Sequence, residues 1–457
     1  MTAGFFIELT ILGRLETMPF CNQSWHRLLL KLTFALGSLW MLFLALQLES
    51  PLSTHPIHSN RWLEYRDYDF EGVCNCSAIQ EGNTEALQEA KLLTITKEFQ
   101  KNIQIPDEYY INETKVCRKF KSKRKYITFS LSKEEEDFPL AYSIVVHHKV
   151  QNFERLLRAI YAPQNFYCIH VDKKSQPSVI AAISSIASCF PNVFMVRKAE
   201  TMVYAGWPRV QADLNCMADL YEYSAEWKYF INLCGQDFPL KTNLEMVRIL
   251  RSLKGGNSME SEDMPQVKKL RVSKVHHIVN GIIKSTGKSK SPPPFNFPIK
   301  SGNAYIVVTR GYVQSVLNDT RVQALIAWFK DTYSPDEFLW ATIQRIPGVP
   351  GSTRPHTKYD QTDMNAIARL VKWMPYEGSQ HSAVYPACEG SHIRSICVYG
   401  AGDVKWLLEN HHLFANKFDV YKDPIPVFCL EKHLRQKALA ESEGEIFSGL
   451  NRLLETR

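Results

Sequence analysis

The 457-residue sequence has no marked excess of either charge: Lys plus Arg number 54 against 47 for Asp plus Glu, spread along the chain. Nucleic acid selects cations gathered on one face, so this dispersion excludes nucleic acid as a principal partner. The cysteines contain no C-x-x-C pair, which removes a zinc ribbon. There is no G-x-x-x-x-G-K-[ST] loop. GAGD, Gly400 to Asp403, lacks the third glycine and the strand-turn-helix setting of a dinucleotide fingerprint and reads as a plain turn. The pairs His147-His148, His276-His277 and His411-His412 lack the i, i+4 spacing of a helical metal site, and neighbours on a strand point to opposite faces. No metal site is expected from them, and no internal repeat is visible.

What is present begins with a long apolar run, Leu28 to Leu48, interrupted only by Lys31, which can snorkel to the interface. As a helix it reaches roughly 30 Å, the thickness of a bilayer core, and it exceeds the apolar run of a cleaved signal peptide. Arg14, His26, Arg27 and Lys31 lie before or at its start and Glu49 after it, so the positive-inside rule predicts a cytosolic N-terminus and a lumenal remainder. Of the eleven cysteines only Cys21 precedes this run; the others fall where disulfides persist. Asn75, Asn112 and Asn318 open lumenal glycosylation sequons, whereas Asn22 would face the cytosol. Met18 is an alternative start to Met1. The organisation expected is a tail over 1–27, an anchor over 28–48, a polar irregular stem over 49–125 and a catalytic domain over 126–457. The basic run CRKFKSKRK, Cys117 to Lys125, reads as part of the solvated stem.

Beyond the stem, buried-strand runs alternate with helical spacing. Leu140 to His148, Phe166 to Asp172, Asn192 to Val196 and Lys228 to Cys234 read as strands. Phe153, Leu156, Leu157 and Ile160 repeat on one helical face, as do Val179, Ile183, Ile186 and Phe190, and then Val210, Leu214 and Met217. A further strand, Asn303 to Thr309, precedes more helices. This order predicts an α/β domain with a mostly parallel sheet flanked by helices, binding its ligands beyond the carboxyl ends of the strands. Asp172 and Asp237 are expected to be displayed there.

Two acidic phrases bear on chemistry. CGQDFPLKT, Cys234 to Thr242, ends a strand with one acid, Asp237, where many nucleotide-sugar transferases carry D-x-D to hold a cation on the diphosphate. A nucleotide sugar bound here would need other positive charge. SPDEFLW, Ser334 to Trp340, reads by its residues as a helix start, with Ser334 at the N-cap, Pro335 at N1 and Glu337 closing a capping box.

The phrases AYSIVVHH, APQNFYCIHVD, RVQADLNCM, KYFINLCGQDFPLKT, DTYSPDEFLWATIQRIP, KYDQTDM, GAGD and HHLFANKFD run in order across about Ser130 to Ala438. Together they resemble the core-2/I-branching β-1,6-N-acetylglucosaminyltransferases. The resemblance implies a GT-A-like fold behind an N-terminal transmembrane helix, type II Golgi membrane residence, no cofactor and no divalent metal. The implied reaction is inverting transfer of GlcNAc from UDP-GlcNAc to the 6-hydroxyl of GalNAc in core 1 O-glycans. Core 4 or I branching, or a catalytically silent membrane-anchored lectin, are the alternatives. Partners would be mucin-type glycoproteins and the Golgi membrane, with a second copy of the chain a further candidate.

By the same resemblance Glu337 is the catalytic base, and Arg394 and Lys417 stand in for a metal on the departing UDP. Asp172, Tyr204 and Val145 fall at the uridine end; Glu260, Lys268 and Arg271 at the acceptor's galactose; Trp373 is a stacking platform. One departure is VKWMPYEG, with Pro375 where core-2 enzymes carry an aromatic residue and Tyr376 displaced by one. The disulfides carried over are Cys76 to Cys429, Cys117 to Cys189, Cys168 to Cys216 and Cys388 to Cys397. Cys234 is then a thiol, and Cys74 has no assigned partner, which leaves a Cys74/Cys76 exchange open.

Overall fold

The structure, a computed structural model, describes residues 74–96, 99, 104–352, 364–379 and 381–455, with side chains to residue 444. The expected tail, anchor and first part of the stem lie outside the described residues, among which no helix is long and apolar enough to cross a membrane.

The segment expected to be an irregular stem is helical from Cys76 onward. Helices α1 (Cys76–Glu81), α2 (Thr84–Ile95), α3 (Asp107–Glu113) and α4 (Cys117–Lys123) follow one another. Asn75 and Asn83 cap the first two through their side chains, accepting from Ala78 and Ala86. Ile79, Ala90, Tyr110 and Phe120 are fully buried, so this segment belongs to the folded body. Its polar composition concealed this, because each short helix buries only one or two side chains. Even the basic run contributes: Phe120 points inward and Arg124 pairs with Glu154. The four expected disulfides are all formed, and Cys76–Cys429 and Cys117–Cys189 tie the segment down. Asn75, Asn112 and Asn318 are exposed.

The central sheet contains β1 (Leu140–Val146), β2 (Phe166–Val171), β3 (Val193–Met195), β4 (Tyr229–Cys234) and, after the short β5 (Asp237–Pro239) and hairpin strands β6 (Lys274–Val279) and β7 (Ile282–Ser289), β8 (Val307–Thr309). Their spatial order is β3-β2-β1-β4-β8, parallel except for β8. Every residue of β1 is buried, as expected of a strand covered on both faces. Tyr142, Ile144 and Val146 pack with the helices α5 (Val150–Ile160) and α6 (Pro177–Ala187), whereas Ala141 faces α7 (Pro208–Tyr223). On that second face Ser143 Oγ donates to Asp213 Oδ1 at 2.9 Å, and Asp213 also takes Asn232 and Arg209, so the buried carboxylate is fully partnered.

A buried ionic cluster joins α5 to the last helix, α8 (Ile425–Glu455). Arg155 and Arg158 reach Glu431 at 2.9 and 2.6 Å, and Arg124 reaches Glu154 at 2.5 Å. Glu431→Ala leaves two buried guanidinium groups without this counter-charge and is expected to cost about 3–5 kcal/mol, read from denaturant midpoints. Burial alone would raise the Glu154 carboxyl, but Arg124 and Arg158 overcome it and hold it at about 2, below the ordinary 4.5. A carboxyl so depressed contributes stability above its ordinary value. That contribution is lost as pH falls from about 4.5 toward about 2.

Candidate active site

The chain leaves β1 through β2 and β3 on one side and returns to β4 on the other, which places a topological switch point between β1 and β4. His147 and His148 follow β1, Asp172 follows β2, and Gly235 and Gln236 follow β4. The Asp172 amide donates to Val146 O at 2.9 Å and the Gly235 amide to Val145 O at 3.0 Å, so these ends are held side by side. Val145 is buried in β1, and Asp172 Oδ1 accepts from the amides of Lys174 and Met202, both at 3.1 Å. The His147 and His148 rings stack at 3.9 Å; burial lowers both, His148 to about 4.

Two cations reach this crevice from distant sequence. Lys417 follows β12 (Phe414–Asn416), which pairs with β5 and with β9 (Leu370–Val371). The next amide, that of Phe418, donates to Gln236 O at 2.8 Å. Arg394 occupies the tight turn between β10 (Ser391–Ile393) and β11 (Ile396–Val398), with φ 53° there and 62° at Ser395. Cys388–Cys397 braces that turn, and the Arg394 guanidinium lies 4.4 Å from the ring centre of Tyr204, itself exposed. Burial lowers the Lys417 ammonium below its ordinary value, and Arg394 adds to this, which places the two charges in one field.

Glu337 does not complete a capping box. Ser334 adopts a left-handed conformation with φ 47°, and its side chain caps nothing. An N-cap residue needs extended backbone, so the motif cannot form. The Ser334 amide instead donates to Ala205 O at 2.8 Å, and Pro335–Glu337 is one 3₁₀ turn ahead of the helix Leu339–Ile343. Glu337 Oε2 takes Lys268 Nζ at 3.0 Å and Arg271 Nη1 at 2.9 Å, while Oε1 has no partner among the described residues. The Gly302 amide holds the turn from behind, donating to Glu337 O at 2.7 Å, in a space where a Cβ would stand 2.2 Å from Glu260 O.

Glu337, Lys268, Arg271 and Trp373 line one cavity of about 540 Å³, whose wall includes Ser395, next to Arg394. Tyr204 and Ala205, consecutive in the chain, touch Arg394 and the Ser334 turn respectively, so the carboxylate and the guanidinium share a neighbourhood. Glu260 is not part of this lining; it is buried, and its Oε1 accepts from the Ala366 amide at 2.8 Å.

Several lining residues escaped the sequence reading. Tyr376 joins Trp373 and Pro375 because Met374–Tyr376 is a 3₁₀ turn, so an aromatic displaced by one position still reaches the wall. Asn303, Ala304 and Tyr305, expected to be strand, line the cavity, and β8 starts only at Val307. Asp336 lines it too; burial pushes its carboxyl up to about 6 against the pull of Arg209. Its place beside Glu337 in SPDE was the available signal.

Asp237 is not displayed. It is buried with its oxygens taken by Arg369 at 3.2 Å, the Cys234 amide at 2.7 Å and Asn416 Nδ2 at 2.8 Å. A carboxylate so occupied is poorly placed to ligate a cation. Among the described residues, each cluster with three potential metal ligands includes a disulfide cysteine, and none lies in the cavity. Cys234 is a free thiol that burial and Asp237 push up to about 12. Cys74, also free, has its Sγ 3.9 Å from both sulfurs of Cys76–Cys429.

Residues 140–408 match the family Core-2/I-Branching enzyme. The chain is 54% identical over 382 residues, 83% of its length and 89% of the relative's, to the Homo sapiens protein named beta-1,3-galactosyl-O-glycosyl-glycoprotein beta-1,6-N-acetylglucosaminyltransferase. It is 56% identical over 366 residues to the Bos taurus protein of that name, covering 80% of this chain and 86% of that one. A Bovine herpesvirus 4 protein of the same name is 55% identical over 370 residues, 81% of this chain and 84% of that one.

Proposed function

Because the chain belongs to the Core-2/I-branching enzyme family, we propose that it transfers GlcNAc from UDP-GlcNAc to the 6-hydroxyl of GalNAc in core 1 O-glycans on glycoproteins. It is a β-1,6-N-acetylglucosaminyltransferase, and its donor cleft is the GT-A-like crevice at the switch point between β1 and β4. We assign it to the Golgi membrane as a type II protein, anchored by residues 28–48 with the enzyme body lumenal.

The sugar of UDP-GlcNAc is α-linked to phosphate, so a β product requires one displacement with inversion. In that step the 6-hydroxyl gives its proton to Glu337 Oε1, the oxygen forms its bond to the anomeric carbon, and the carbon-oxygen bond to the diphosphate breaks. UDP departs with the electron pair. Arg394 and Lys417 sit at the strand ends where the diphosphate would lie and neutralise the charge it gains, the role a divalent ion serves elsewhere. Asp172, Tyr204 and Val145 form the uridine end; Lys268, Arg271 and Trp373 hold the acceptor, with Glu260 supporting the wall behind Gly302.

The observation that carries this reading is the Oε1 of Glu337, without a partner among the described residues, in a cavity that shares its neighbourhood with Arg394. Incubation with UDP-GlcNAc and galactosyl-β-1,3-GalNAc should release UDP and give a trisaccharide with a β-1,6 linkage by NMR. Transfer only to a core 3 or lactosamine acceptor would make it a core 4 or I branching enzyme. UDP-GlcNAc binding without release would make it a lectin.

A further inference from the structure

Among the described residues no carboxylate pairs with Arg394, whose guanidinium faces the Tyr204 ring. A cation kept free for phosphate is aimed by its own backbone, and this backbone is strained. Arg394 and Ser395 are consecutive non-glycine residues in the left-handed region, with φ 53° and 62°. Such a turn persists only where its surroundings hold it.

The holding comes from the segment that carries Trp373 and Tyr376. The Met374 amide donates to Ser395 O at 2.9 Å, the Cys397 amide donates to Lys372 O at 3.0 Å, and Trp373 bridges to Ile396. These bonds secure the side of the turn that follows Arg394. On the side that precedes it, His392 in β10 stands across the hairpin from Cys397, and its Nε2 lies 2.6 Å from Glu377 Oε1. Glu377 directly follows Tyr376, which lines the cavity with Trp373, but neither Glu377 nor His392 is part of that lining. The Glu377 side chain is 11% exposed, and its Oε2 is buried without a partner among the described residues, so the imidazole is the side chain against which this acid is set. The other charged groups at the hairpin are engaged elsewhere: Lys372 pairs with Asp403 at 2.6 Å, and Lys422 Nζ donates to Ser391 Oγ at 3.3 Å.

We propose that Glu377 and His392 are a positioning pair for the transfer described above, on which this inference rests. The pair fastens the first strand of the hairpin to the acceptor wall, as the backbone bonds fasten the second, and so fixes the direction from which Arg394 meets the departing diphosphate. Neither residue touches substrate; both act through Arg394. Because the wall carries Trp373 and Tyr376, one clasp sets the cation for the leaving group and the platform for the acceptor as a single unit.

The test uses the full chain in detergent with UDP-GlcNAc and galactosyl-β-1,3-GalNAc. Glu377→Ala and His392→Ala should each lower kcat by about tenfold, and the double variant should lower it no further, as expected of two groups that orient a third and act as a unit. In the Arg394→Ala background, Glu377→Ala should change kcat by less than about twofold, because the group it positions is gone. A residue that merely supports the fold would cost the same factor in both backgrounds; that result overturns the inference and leaves the role of Arg394 standing. Near-wild-type kcat in both single variants overturns it as well. His392, with its side chain 31% exposed, is the milder truncation and carries the test if Glu377→Ala does not fold. Wild-type kcat in Arg394→Ala, or no transfer by the wild-type enzyme, would overturn the proposed function and this inference with it.

Discussion

Replacing Glu337 by glutamine is expected to lower kcat by 10²- to 10⁴-fold, the range a positioned general base contributes. Glutamine keeps the length of the side chain, and its oxygen can still accept from Lys268 and Arg271, but it cannot take the proton of the acceptor hydroxyl. Stability should change little. The two ion pairs involve groups that are 17 to 37% exposed, and such pairs contribute at most about 1 kcal/mol. Since Ser334 does not cap the following helix, no capping box is lost either. Nucleotide affinity, measured by calorimetry with UDP, should stay near that of wild type because Arg394 and Lys417 are untouched. Near-normal transfer by the folded variant would remove Glu337 as the base.

The second large effect concerns the leaving group. Arg394→Ala or Lys417→Ala should each reduce kcat by about 10²- to 10³-fold, the scale seen when one preorganised donor to developing negative charge is removed. UDP affinity should fall with it. EDTA should leave wild-type transfer intact, and added Mg²⁺ or Mn²⁺ should not rescue either variant; abolition by EDTA would defeat this account. A pH profile separates Lys417 from Arg394. With its ammonium held below the ordinary value of 10.5, mainly by burial, Lys417 loses its charge earlier than a free lysine as pH rises. UDP affinity should therefore decline on the alkaline side below pH 10.5, and Lys417→Arg should extend the plateau because guanidinium stays charged.

The parallel core was legible because fully buried strands are nearly continuous apolar runs, and Leu140 to Val146 or Tyr229 to Cys234 can be little else. The helices between them show their faces through spacing. The early helices from Cys76 to Lys123 were not legible. Each buries too few residues to set a pattern, and what holds them is disulfides and contacts with sequence far away. The first half of Asn303 to Thr309 misled for the opposite reason: its apolar residues face a cavity rather than a sheet neighbour.

At the site, only the resemblance to a known family pointed to Glu337, Arg394, Lys417 and Trp373, whereas composition alone put nucleic acid aside. Local pattern also favoured a helix cap at SPDE and a displayed acid at Asp237, and in both the tertiary structure decided otherwise. Ser334 gives its amide to Ala205 and Glu337 its oxygen to two cations; Asp237 is consumed by Arg369 and Asn416. Periodicity reports which side of an element is apolar, a property of neighbours in the chain. Which charges meet across a crevice depends on contacts between segments tens to hundreds of residues apart, and only the folded chain specifies those.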